Sequence, residues 1–241
     1  MPSRPWILTQ TWHDLLFAHW PIDAREVRAR VPAAFDIDTF EGRAWLGIVP
    51  FSMTNVSMRG VPALPWLSAF PELNVRTYVR AGRKPGVYFF SLDAGRALAV
   101  WTARSLLNLP YHLAAMRVSK DGARIGYESR RRSIATAALS AIYEPEGDVR
   151  VAEPGSLAHF LVERYCLYQV TRRGVPYRLE IHHPPWRLQA ARAAITRNTM
   201  TSPIAVPLPA TKPVLHFSRR QDVVAWRPER LTRPDPSSSA R

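Results

Sequence analysis

The chain has 241 residues and a formal net charge of +14, carried almost entirely by arginine, with 46% hydrophobic residues and one cysteine. That length fits one large β-rich domain or two small ones, and the hydrophobic content suffices for a globular core. A lone Cys166 excludes an intramolecular disulfide, no Cys/His cluster has metal-ligand spacing, and arginines and prolines break every stretch long enough to cross a membrane as a helix.

In chain order, residues 9–20 alternate well enough for a strand that ends at Pro21. Asp23-Ala24-Arg25-Glu26 has capping-box spacing and predicts a short helix to about Arg30, stopping before Pro32. A strand follows over 43–53, then a Pro- and Gly-rich loop over 54–70. Residues 72–79 and 87–92 read as a hairpin around Arg83-Lys84-Pro85-Gly86. Asp93 suits the N-cap of a helix over 94–107. Strands over 111–118 and 124–132 flank a turn at Lys120-Asp121-Gly122, and 136–143 extends the sheet. Ser156 caps a short helix through Val162. Strands over 164–172 and 176–183 flank Arg173-Gly174. The stretch 186–195 (WRLQAARAAI) leans to helix, and 214–218 with 222–226 makes a last hairpin. Residues 1–232 are expected to form a single domain, and 233–241 (RPDPSSSAR) has the composition of a disordered tail.

Residues 70–112 carry the chemistry. Side chains on a strand alternate faces, so Leu73, Val75, Thr77 and Val79 share one side and Glu72, Asn74, Arg76 and Tyr78 the other. The neighbouring 87–92 stretch is apolar on both faces, as in a covered central strand. The polar face of its partner is then covered as well, and a covered carboxylate and guanidinium must pair or bind something. The helix over 94–107 is apolar nearly all round except for Arg96 and Arg104, which fall on nearly the same side. Arg104 needs an anion, and either Glu72 or a bound carboxylate could supply it. A structural Arg–Glu pair and a ligand pocket both remain open at this point. His19 and Trp20 read as a packed corner, Trp12, Trp45, Trp66, Trp101 and Trp186 as core, and Cys166 as a buried inert thiol. His182 and His183, adjacent on a strand, point to opposite faces.

The motifs LLFAHWP at 15–21, AWLGIVPF at 44–51, FPELNVRTYV at 70–79, GVYFFSLD at 86–93 and LPY at 109–111 resemble, in order, those of the YqjF-like family of bacterial proteins. That family is similar in fold to acetoacetate decarboxylase. The resemblance implies an α+β, mostly β architecture: antiparallel sheets curved into a cone or partial barrel around an internal pocket, with a few helices. In the decarboxylase a buried helix ends in Gly-Arg-Glu, and a Pro-Lys pair follows whose lysine forms a Schiff base. The counterparts implied here are Thr102-Ala103-Arg104-Ser105 and Pro110-Tyr111. The arginine is kept, and the lysine is replaced by Tyr111. The chain has three lysines, Lys84, Lys120 and Lys212, and each sits at a turn or loop signal rather than in an apolar run. Imine chemistry therefore lacks its nucleophile.

The sequence reading is a cytoplasmic protein without a cofactor, holding a pocket for a small anionic molecule such as a carboxylate. Glu72 and Tyr111 are the catalytic candidates, and Asn74, Arg76, Tyr78 and Arg104 the ligand-binding ones. Whether the pocket binds or transforms its ligand, and whether the chain forms a homo-oligomer, is left open. The arginines spread from Arg4 to Arg241 without a nucleic-acid-binding signature, which argues against a nucleic-acid partner, and no membrane anchor is expected.

Overall fold

The computed structural model describes residues 2–60, 69–97, 108–133 and 137–231. Within them lie thirteen strands of one sheet: β1 (Leu8–Ile22), β2 (Asp36–Ile37), β3 (Ala44–Met58), β4 (Phe70–Ala81), β5 (Lys84–Ala94), β6 (Tyr111–Asp121), β7 (Arg124–Arg131), β8 (Ala138–Val151), β9 (Cys166–Val170), β10 (Pro176–His182), β11 (Arg187–Asn198), β12 (Val214–Ala225) and β13 (Glu229–Arg230). Two short helices accompany them, α1 (Ala24–Arg28) and α2 (Leu157–Val162). The expected mostly β, α+β class and the acetoacetate decarboxylase-like curvature are what the chain forms. Trp66, Trp101, Arg104, all but the first turn of the helix expected over 94–107, and the expected tail lie outside the described residues.

The sheet closes on itself twice. Pairing of β4 with β5 completes a circuit through β6, β7, β8, β11, β12, β1 and β3. Pairing of β10 with β12 completes a second, through β9 and β5, that shares β1, β3 and β4 with the first. Alternation gives each shared strand two apolar faces. On β1, Leu16, Ala18 and Trp20 enter one core while Leu15 and Phe17 enter the other. Leu46 and Ile48 of β3 join the first core, and Val49, Phe51 and Met53 the second. This is why these strands read as near-continuous apolar runs.

Several elements differ from the sequence reading. Asp93 caps no helix. It lies inside β5, fully buried, and its carboxylate takes a bidentate grip from Arg131, with Nη2–Oδ1 at 2.7 Å and Nε–Oδ2 at 3.2 Å. An acid thus neutralised can sit in a strand that its local propensity disfavours. Residues 187–198 form a strand rather than a helix, because pairing with β8 along nearly the whole length overrides the helix-favouring Ala, Leu, Gln and Arg. The last hairpin is one continuous strand, β12, held along β1 from Leu8↔Ala225 to His19↔Val214. The β4–β5 turn falls at Gly82-Arg83, so Lys84, Pro85 and Gly86 belong to β5. Both expected caps do form: Asp23 Oδ1 accepts from Arg25 N at 2.8 Å, and Ser156 Oγ accepts from His159 N at 3.2 Å.

Candidate functional site

The second core encloses a cavity of about 100 Å3. Its walls are mostly apolar, with Leu15, Phe17, Phe51, Leu92, Leu179 and Trp186 among them. One wall is β4, and its alternation delivers Glu72, Asn74 and Arg76 to the cavity while Leu73, Val75 and Val79 face the first core. Tyr111, at the start of β6, joins them from across β5. Geometry thus brings Glu72, Asn74, Arg76 and Tyr111 together. Tyr78 shares their face but stands behind Arg76, off the cavity. Its hydroxyl donates to Leu161 O at 2.8 Å and lies 2.7 Å from His19 Nε2.

Glu72 is 2% exposed, and its main side-chain partner is Tyr111, whose hydroxyl donates to Oε2 at 2.7 Å. Burial pushes its pKa up to about 8; the Tyr111 hydrogen bond works against this, and the nearby Asp93 charge adds to it. The carboxyl is therefore mostly protonated at neutral pH. Tyr111 is itself pushed well above the usual phenol range, by burial first and by Glu72 second. From behind, Tyr127 donates to the Glu72 carbonyl at 2.6 Å and fixes the strand there.

Arg76 is buried and, among the described residues, has no carboxylate partner. Its Nη2 donates to Leu161 O at 3.1 Å and more weakly to the Tyr78 oxygen at 3.4 Å. The guanidinium also lies over the rings of Phe17 and Tyr78, 5.4 and 5.7 Å from their centroids. Among the described residues its Nε has no acceptor, and neither Oδ1 of Asn74, 5% exposed, nor the indole N–H groups of Trp12 and Trp186 have partners. Buried polar groups are almost always hydrogen-bonded, and these four without a partner among the described residues gather around one cavity.

Two further residues reach the cavity without having been expected there. Arg164, just after α2, is neutralised by Asp38 at 2.6 Å and packs 4.2 Å from the Phe160 ring centroid. His183 stacks on Tyr165 and is held by Gln221; burial lowers its pKa, so it is neutral. A lone arginine before an apolar strand and one of two adjacent histidines carry no periodic signal, and only the closure of β9 onto β5 and of β10 onto β12 places them. His19 is fully buried, away from the cavity lining, with its pKa held well down by burial and by Arg76. No lysine joins the site. Lys84 pairs with Glu180 at 2.5 Å, Lys120 pairs with Asp14, and Lys212 is exposed. Among the described residues no three His, Cys, Asp or Glu side chains gather as a metal site would need, and no helix is long and apolar enough to cross a membrane.

Comparison with known proteins follows the same lines. A family model named DUF2071 and described as "Uncharacterized conserved protein" matches residues 9–222. The "Uncharacterized protein YqjF" of Bacillus subtilis (strain 168) is 46% identical over 226 residues, covering 94% of this chain and 93% of that one. Among solved structures, the enduracididine biosynthesis enzyme MppR, complexed with the condensation product of pyruvate and imidazole 4-carboxaldehyde, superposes with a TM-score of 0.67 at 9% identity, over 95% of this chain and 90% of that one. The acetoacetate decarboxylase of Legionella pneumophila gives 0.65 at 10% identity, over 96% and 92%. At such identities the likeness is one of fold.

Proposed function

The chain belongs to the DUF2071 family, and from that premise, with the acetoacetate decarboxylase-like fold as frame, we propose that the cavity binds a small carboxylate and transfers a proton on it without forming an imine. The observation that carries this reading is Arg76: a buried guanidinium at a cavity, with no carboxylate partner among the described residues. A buried charge without a partner is costly, and a ligand carboxylate meets it with a geometry suited to a planar fork. Asn74 supplies a free amide oxygen beside it. Glu72, its pKa near 8, is the acid/base group, and Tyr111 holds its carboxyl in place. The ionised fraction of Glu72 removes a proton from the carbon next to a ligand carbonyl. An enolate forms beside Arg76, and the proton, exchanged or not with solvent, returns to that carbon.

Fold neighbours supply the probes. MppR has been seen complexed with pyruvate, and the sequence resemblance implies Tyr111 in place of the lysine that acetoacetate decarboxylase uses. The test is deuterium exchange at the methyl group of pyruvate in heavy water, read by NMR, with binding followed by calorimetry. Wild type is expected to bind pyruvate and accelerate exchange. Glu72→Gln should bind without exchange, and Arg76→Leu should bind at least about tenfold more weakly. Pyruvate binding unchanged in Arg76→Leu would overturn the reading of the site. Binding without exchange in wild type would leave a carboxylate-binding protein with no proton transfer on this probe.

A further inference from the structure

Resting on that reading, we infer that the ligand is a short monocarboxylate with an apolar body, and that the site selects against a second negative charge. The cavity has one charged end and one apolar end. Of the two described arginines that line the cavity, only Arg76 offers an uncompensated positive charge, since Asp38 already neutralises Arg164. Beyond the β4 wall the lining is mostly hydrocarbon and aromatic, interrupted by Gln10, Tyr111, the neutralised Arg164 and His183: Phe17 meets Trp186 edge-on at 4.9 Å, and Trp12 stacks on Trp186 at 6.0 Å. The free indole N–H groups of Trp12 and Trp186 are neutral donors. They suit one uncharged oxygen on the ligand but cannot offset the desolvation of a carboxylate. Size sets the remaining bound. A cavity of roughly 150 Å3 holds benzene, so a cavity of about 100 Å3 takes a smaller body.

A matched series on the wild-type protein tests this by calorimetry at one ionic strength, using the sodium salts of acetate, butanoate and butanedioate. Each buried methylene strengthens binding by roughly fourfold. Butanoate, with two more methylenes, is therefore expected to bind about fifteenfold more tightly than acetate. Butanedioate, which replaces butanoate's methyl with a carboxylate, should bind at least about tenfold more weakly than butanoate. Butanedioate binding as well as butanoate, or acetate as well as butanoate, would overturn the apolar end while leaving the carboxylate site intact. If none of the three binds, the carboxylate site itself falls, and this inference with it.

Discussion

Between pH 4.5 and about 8 the unfolded chain ionises Glu72 while the folded chain keeps it protonated. The folded state then holds more protons, so Glu72 makes stability fall as pH rises through that window. Above pH 8 both states are ionised and the slope ends. The whole effect is on the order of a few kcal/mol. Glu72→Gln keeps an acceptor for the Tyr111 hydroxyl and removes the titration. Urea denaturation of wild type and variant at acidic and mildly alkaline pH is expected to show the difference in stability between them widening toward alkaline pH in favour of the variant. A constant difference would mean that Glu72 is ionised in the fold. The same buried, protonated carboxyl that costs stability in alkali is what gives the site an acid/base group near neutrality.

At the scale of elements, two contacts hold the cavity's frame. Asp93 of β5 and Arg131 of β7 form a fully buried pair across β6. Asp93→Asn leaves Arg131 buried without its anion, a loss of about 3–5 kcal/mol. The double variant Asp93→Leu with Arg131→Met removes both charges and is expected to recover most of that loss. Chemical denaturation of the three proteins checks it, and a double variant as weak as the single would show that packing, not charge, is at stake. The second contact is the parallel approach of β9 to β5. A Cβ added at Gly86 would stand 2.6 Å from the Cys166 carbonyl oxygen and 2.8 Å from its Sγ. Backbone cannot yield there cheaply, so Gly86→Ala should cost about 1–3 kcal/mol and loosen the edge that closes the cavity. A thermal midpoint equal to wild type would show that β9 has room to move.

Over the whole molecule, the double closure of the sheet separates one hydrophobic core from the core that holds the cavity, and it keeps every placed lysine outside both. Lys84 and Lys120 are engaged by Glu180 and Asp14, and Lys212 faces solvent. A Schiff base needs an unprotonated amine beside the substrate. Borohydride treatment with a β-oxo acid, followed by intact mass, is therefore expected to show no adduct that depends on the native fold. A stable adduct on any of the three lysines in folded protein, absent after unfolding, would refute this.

The sequence alone determined what rests on short range. Period-two alternation in 72–79 fixed which side of β4 is polar, and the near-continuous apolar run at 87–92 marked β5 as covered on both faces. Asp23 and Ser156 announced their helices because a cap is a contact between near neighbours. The scarcity of lysine, with three in the chain and each at a turn or loop signal, already argued against an imine. What tertiary structure decided is long-range. Asp93 reads as a cap until Arg131, far along the chain, reaches it. Residues 187–198 read as helix until β8 supplies hydrogen-bond partners. Arg164 and His183 carry no local mark, and they reach the cavity only because β9 and β10 close the second circuit. Arg76 could have been paired or free on sequence grounds. The fold decides this by giving it the Leu161 carbonyl, the Tyr78 oxygen and two ring faces but no carboxylate among the described residues, and so leaves a positive charge at the cavity.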